Sequence, residues 1–301
     1  MAKTHKITDT SYEVSKGSRL AEYWQGTDYQ DYTPFVRPNF TFPPSILKEN
    51  NAIKTLQKQF GIKDLNFGNW VTQEDRFNYV NLLVISLYDL NKVLHFNQFL
   101  GFNQLSVAFG ARGKSKALAH YEPTFKIINL TRYKRDDSPK IVRLITTGGM
   151  GSFAHEYGHF LDYFAGEYLD KDNSVFALTG GISIQKDRIN VGSKLRNITD
   201  DILEKIIWKT PNKVLSPYYV RLTKVVSDDE TLGEYWIRRN EIFARWFEAW
   251  VSHELQLQNI ENKLLAQSKY LPIVYPTKAE IVQLSPLFKQ FCKEFKTRLF
   301  V

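Results

Sequence analysis

The stretch GSFAHEYGHFLDYF, residues 151–164, constrains this chain more than any other. Only six histidines occur in 301 residues, yet His155 and His159 stand four apart with Glu156 between them, in an otherwise apolar run. On a helix, positions i and i+4 share one face a turn apart. Two imidazole nitrogens there can converge on a single ion, with zinc–nitrogen bonds of about 2.0–2.1 Å. Glu156 is rotated about 100° around the axis, so it reaches a water at the ion without itself ligating. This is the H-E-x-x-H pattern, whose glutamate serves as general base in zinc-dependent hydrolysis. The competing reading is two polar residues on the wet side of an amphipathic helix.

The flanking sequence predicts the fold into which this helix is set. A helix is expected over residues 49–60, ended by Gly61, and a second from VTQED onward, capped by Thr72, as apolar residues return at three and four. LSVAFG, ALAHY and TFKIINL then read as short strands separated by turns, and we expect an antiparallel group. The Gly-rich TTGGMGS lacks the G-K-[ST] of a phosphate loop and reads as a flexible lead-in to the helix. Beyond it, ALTGGISI predicts a hairpin around Gly180 and Gly181, and residues 200–209 a helix. A long amphipathic helix follows from about Asn240, and a last one is opened by a capping box of Thr277 and Glu280. The fold class expected is α+β: a small antiparallel or mixed sheet packed on the His155–His159 helix, with additional helices. Residues 1–45, polar and rich in proline, read as an N-terminal arm, and residues 46–301 as the main domain.

A catalytic zinc takes three protein ligands and keeps one position open. A histidine six residues after His159 would make the site a metzincin, but Ala165 stands there. Asp162 shares the face of His159 and either ligates or orients a ligating imidazole. Glu241, in NEIFARWFEAW, is the stronger candidate, because a carboxylate on so apolar a helix is costly unless paired or metal-bound. Glu248 is on the same face and competes with it. The ordinary alternative for both is an ion-pair ladder centred on Arg245, which is i+4 from Glu241 and i−3 from Glu248.

Composition excludes little. The 14% aromatic content fits a packed core, and the formal charge of +8 raises nucleic acid as a partner. The basic residues are nevertheless scattered, and the densest run, residues 131–143, is broken by Asp136 and Asp137. Cys292, the only cysteine, reads as a buried helical group. No stretch reaches the length of a membrane span or a signal peptide, so a cytoplasmic protein with no membrane partner is expected.

Four stretches in order carry a family resemblance: TQEDRFNYVNLL, LSVAFGARGKSKALAHYEP, IINLTR through FAHEYGHFLD, and EYWIRRNEIFARWFEAWV. Over roughly residues 70–255 the chain resembles the zincin-like metallopeptidase domain of the large polyvalent proteins of phages and conjugative elements. The resemblance implies one Zn²⁺ held by His155, His159 and Glu241, Glu156 as base, and a peptide or protein substrate. It also implies a mobile-element setting, with host or self proteins as targets. Beside it, His120 and Tyr235 are candidates to donate to a developing oxyanion, and ALAHY or TFKIINL to offer a strand edge to an extended peptide. Arg112 is weighed as a carboxylate anchor against a water-facing turn residue. The rival function is a basic nucleic-acid-associated or interaction protein with a structural or vestigial zinc.

Overall fold

The computed structural model describes residues 5–6, 35–36, 51–69, 71, 73–112, 119–131, 151–170, 177–183, 193–209, 214–228, 233–267, 270 and 272–300. Most of the expected arm, the Thr72 cap and the basic run after Thr131 lie outside the described residues. The chain divides into two compact units, residues 1–156 with 255–267, and residues 157–254 with 268–301. The dividing line falls inside the histidine helix, after its first turn.

The first unit is built on a sheet of strand order β1-β3-β4-β6-β5: β1 His5–Lys6, β3 Asp64–Phe67, β4 Ser106–Phe109, β6 Ile127–Leu130 and β5 Ala119–Glu122. A two-stranded sheet pairs β2, Phe35–Val36, with β7, Glu261–Asn262. Two pieces of the expected arm thus join sheets. The strand group is mixed, not antiparallel: β3 with β4 and β4 with β6 are parallel, and only the outer pairs, β1 with β3 and β5 with β6, are antiparallel. The cause is the position of β6. Its run IINL is buried throughout, whereas AHYE of β5 is mostly half-buried. The more apolar strand takes the interior place beside β4, and β5 is left on the edge.

Alternation along these strands puts Leu65, Phe67, Val107, Phe109, Ile128 and Leu130 on one face. The 22-residue helix α2, Gln73–Leu94, is packed there, with Tyr79 stacked at 4.9 Å on Phe109, which itself stacks at 5.4 Å on Phe67. Upstream, α1 Asn51–Lys54 runs on as a π-helical turn, Thr55–Gln59, and the chain reverses at Gly61 with φ +64°. Strand β3, which follows, gave no sequence expectation.

The second unit is helical: most of α3 Phe153–Tyr168, then α4 Lys194–Ile207, α5 Pro217–Asp228, α6 Gly233–Ile237, α7 Arg239–Gln256 and α8 Lys278–Leu299. Its core is aromatic. Trp250 of α7 stacks on Phe288 of α8 at 5.3 Å, Phe243 meets Phe291 edge-on at 5.5 Å, and Phe164 of α3 lies over Phe295 at 6.2 Å. Cys292 is buried among these groups, and burial pushes its thiol well up, so it is inert packing. The Thr277 and Glu280 capping box is present on α8. Residues 177–183 form successive turns and no strand, in place of the hairpin expected at Gly180 and Gly181. Helix α4 starts six residues before the expected position, at Lys194, because Ser193 caps it by accepting from the Arg196 amide at 3.2 Å.

Candidate metal centre

The site rests on how α3 begins. A helix N-terminus leaves amide groups without intrahelical acceptors. Here the amides of Phe153 and Ala154 donate to the carbonyls of Leu264, at 3.2 Å, and Leu265, at 2.9 Å. Those carbonyls are held in place by Asn262. Its Oδ1 accepts from the Leu264 and Leu265 amides at 3.2 and 3.3 Å and from Ser86 Oγ at 3.1 Å, while its Nδ2 donates to Asp89 Oδ2 at 2.9 Å. Asp89 and Ser86 are both fully buried on α2, so the start of the histidine helix is registered to the first unit's longest helix.

The second determinant is the approach of α7 to α3. Gly158, between the two histidines, has no β-carbon. One built there would lie 3.3 Å from Ala244 Cα and 3.2 Å from Phe247 Cδ1. Two small residues at this crossing bring the helix backbones together. A turn then fixes the position of α7 along α3. Asp162 accepts from the Thr179 amide at 2.9 Å and its hydroxyl at 2.6 Å, Arg239 Nε donates to the Thr179 carbonyl at 2.7 Å, and the Asn240 amide donates to the Gly181 carbonyl at 3.2 Å. Arg239 is anchored in turn by Asp200 of α4 at 2.7 Å. Glu241 is the next residue on α7.

Within this frame His155, His159 and Glu241 offer one ligand atom each, all within 4.8 Å of one another. His159 Nε2 is 3.3 Å from Glu241 Oε1. Bonds of about 2.0–2.1 Å arranged tetrahedrally have edges of about 3.3–3.4 Å, so this one separation suits two ligands of a zinc ion as well as it suits an imidazole–carboxylate pair. His159 and Glu241 are buried, His155 half-buried. Two imidazole nitrogens and one carboxylate oxygen are three donors of a kind that can hold a metal ion such as zinc. Glu156, 6% exposed, lies in the same helical turn and outside the three-residue group.

The remaining candidates fall elsewhere. Asp162 is not in the group and is engaged with Thr179. Burial raises its carboxyl above the ordinary value, against the opposing pull of the Thr179 hydrogen bonds and of His159. Glu248 accepts from the hydroxyls of Tyr270 at 2.7 Å and Tyr275 at 2.8 Å, two rings stacked at 4.3 Å, and so pins the segment before α8. Arg245, centre of the alternative ion-pair ladder, feels the charge of Glu241, and its close contacts lie elsewhere. Arg245 donates to the Trp236 carbonyl and lies 5.5 Å over the Trp236 ring. Tyr235 packs edge-on against Trp236 at 5.4 Å, and His120 Nε2 is 3.1 Å from Glu122 Oε1. Arg112 grips Glu122 through two nitrogens at 2.6 and 2.7 Å; these bonds hold the Glu122 carboxyl below its ordinary value. Of the two candidate edges, only β5 is an outer strand; β6 is flanked on both sides.

Sequence reasoning passed over Tyr163. It is four residues after His159 and so continues the face that carries both histidines. Its hydroxyl lies against Gly181, 3.2 Å from where a β-carbon would stand. Burial, then the charges of Asp162 and Glu241, push it up to about 12, so the phenol keeps its proton across the neutral range. The i, i+4, i+8 spacing was the available signal.

The fold and site together define an α+β chain with a His-His-Glu donor group on two crossing helices. Comparison with known families adds one match. Residues 227–299, which carry α6, α7, β7 and α8, match large polyvalent protein-associated domain 1, linking this part of the chain to large polyvalent proteins. No curated protein and no solved structure matches the chain. Among the described residues, no helix is long and apolar enough to cross a membrane.

Proposed function

We propose that this chain is a zinc-dependent peptidase in which His155, His159 and Glu241 hold one Zn²⁺ and Glu156 is the general base. The observation that carries the reading is the convergence of three ligand atoms within 4.8 Å, one from a helix far along the chain, beside a buried glutamate that is not among them. A purely structural site has no use for that fourth group. A bound zinc supplies Lewis-acid polarisation of the scissile carbonyl and makes water acidic enough to be deprotonated near neutral pH. Glu156 accepts that proton and returns it to the leaving amine. The crossing of α3 and α7 keeps Glu241 against His159, so the ligands are ordered before an ion arrives, and little is lost to reorganisation. The match to a domain of large polyvalent proteins favours a phage or mobile-element setting; host or self proteins as substrates are part of the proposal itself.

The test compares wild type with Glu156→Gln, both loaded with one equivalent of zinc and incubated with a protein substrate such as casein. Cleavage by wild type, lost by at least about 10²-fold in the variant with zinc retained, supports the reading. Zinc retained with no cleavage by either, or salt-sensitive DNA binding that is indifferent to Glu156, points to the structural-zinc alternative.

A further inference from the structure

We propose that α7 carries a binding site for a small monovalent anion of the halide class, centred on the buried guanidinium of Arg245. The site is separate from the donor group of His155, His159 and Glu241, and it does not depend on the chain being a peptidase.

Arg245 is 2% exposed. Its Nη2 donates to the Trp236 carbonyl, and its Cζ lies 5.5 Å over the Trp236 ring. Its Nε and Nη1 are buried and have no acceptor. A guanidinium does not shed its proton to escape this, so a full positive charge is enclosed with donors unused. Such a charge is costly unless it is paired.

The two carboxylates within a turn of it on α7 are turned to other groups. Glu241, four residues earlier, has Oε1 3.3 Å from His159 Nε2. Glu248, three residues later, accepts from the hydroxyls of Tyr270 and Tyr275. Burial works against the charged guanidinium, and Tyr218 and the charge of Glu241 outweigh it, yet neither gives Nε or Nη1 an acceptor in hydrogen-bonding geometry. The Tyr218 hydroxyl donates to the Val274 carbonyl at 3.0 Å, and a hydroxyl brings no counter-charge.

The surroundings select the ion. The next side chain, Trp246, is also 2% exposed, and its Nε1 is another buried donor without an acceptor. Its ring meets Tyr218 edge-on at 5.1 Å. The unused groups are therefore donors only, set among aromatic rings. A water would accept from an N–H but leave the charge unbalanced, whereas an anion does both. The donors are closed off from solvent, which favours a small ion with a modest dehydration cost over a phosphate or sulfate.

The test has two arms, both on the full chain in chloride-free gluconate buffer. Crystals are soaked in sodium bromide, and bromine is located by anomalous diffraction. Urea unfolding is followed as chloride replaces gluconate at constant ionic strength, for wild type and Arg245→Met. The expected map has bromine in contact with the Arg245 guanidinium. The wild-type folding equilibrium constant should rise about 10-fold once chloride is about ten times its dissociation constant, with Arg245→Met unresponsive. No bromine at Arg245, or bromine only at exposed lysines or at the histidine pair, overturns the inference. Equal chloride dependence in the two proteins also overturns it, because a site at Arg245 must make them differ. If Arg245→Met does not fold, the bromine map decides alone. None of these outcomes bears on the Glu156→Gln comparison, so failure here leaves the peptidase reading standing.

Discussion

Gly158 of α3 faces Ala244 of α7 so closely that a β-carbon on the glycine would stand 3.3 Å from the Ala244 Cα. The atom in the way is backbone, which cannot swing aside as a side chain does. A branched side chain must therefore push the helices apart and carry Glu241 away from His159. Gly158→Val is expected to cost about 1–3 kcal/mol in urea unfolding, in the range of overpacked cores. It is also expected to weaken zinc binding. Chelator competition reads the second effect directly.

Glu241 and Glu248 lie on one face of α7 and are expected to separate cleanly. Glu241→Ala removes a ligand, and zinc affinity should fall by at least about 10²-fold. Glu248→Ala leaves the Tyr270 and Tyr275 hydroxyls without their shared acceptor and should cost about 1–3 kcal/mol of stability. Zinc stoichiometry in that second variant should remain one.

Glu280 makes acid stability testable. Burial alone would raise its carboxyl; the Arg221 guanidinium, at 2.8 and 3.1 Å, and the Thr277 amide outweigh this and hold it below the ordinary value of 4.5. A lowered folded-state value means stability that is present above the unfolded value and lost as pH falls through the folded one. Glu280→Gln should therefore be less stable than wild type at pH 7, by about 1 kcal/mol on the scale of helix caps. The difference should shrink in acid well below 4.5, as pH falls through the lowered folded-state value and wild type protonates the same group. Urea midpoints at the two pH values decide it.

Asn262 is expected to govern the first turn of the histidine helix. In Asn262→Ala the Leu264 and Leu265 segment loses its anchor to Ser86 and Asp89, and the acceptors of the Phe153 and Ala154 amides loosen with it. Hydrogen exchange at those two amides should accelerate by about 10-fold or more, one order of magnitude for each 1.4 kcal/mol of lost local stability. The amides of α8 should keep wild-type rates.

The legible parts of the chain were those set by local chemistry. The His155 and His159 spacing, the Thr277 capping box and the boundaries of α7 each follow from residues within a turn or two of one another. Glu241 was legible for a different reason: a carboxylate among Ile242, Phe243, Trp246 and Phe247 must be compensated by something. The order of the strands was not legible, because β6 takes its place between β4 and β5 through burial, and the turn chemistry around it fits either arrangement. Strand β3 was missed because DLNF, between two helical patterns, has too few residues to show alternation. The partner of Asp162 was hidden for the same kind of reason, since Thr179 reaches it only through the tertiary course of residues 177–183.

The most direct measurement is zinc K-edge X-ray absorption on protein loaded with one equivalent of metal and freed of excess. One retained zinc per chain is predicted, with only nitrogen and oxygen neighbours at about 2.0–2.1 Å, a two-imidazole signature, and loss of that shell in His155→Ala and His159→Ala. Protein that keeps no zinc, or a zinc with a sulfur neighbour that is unchanged in the two histidine variants, would contradict the account.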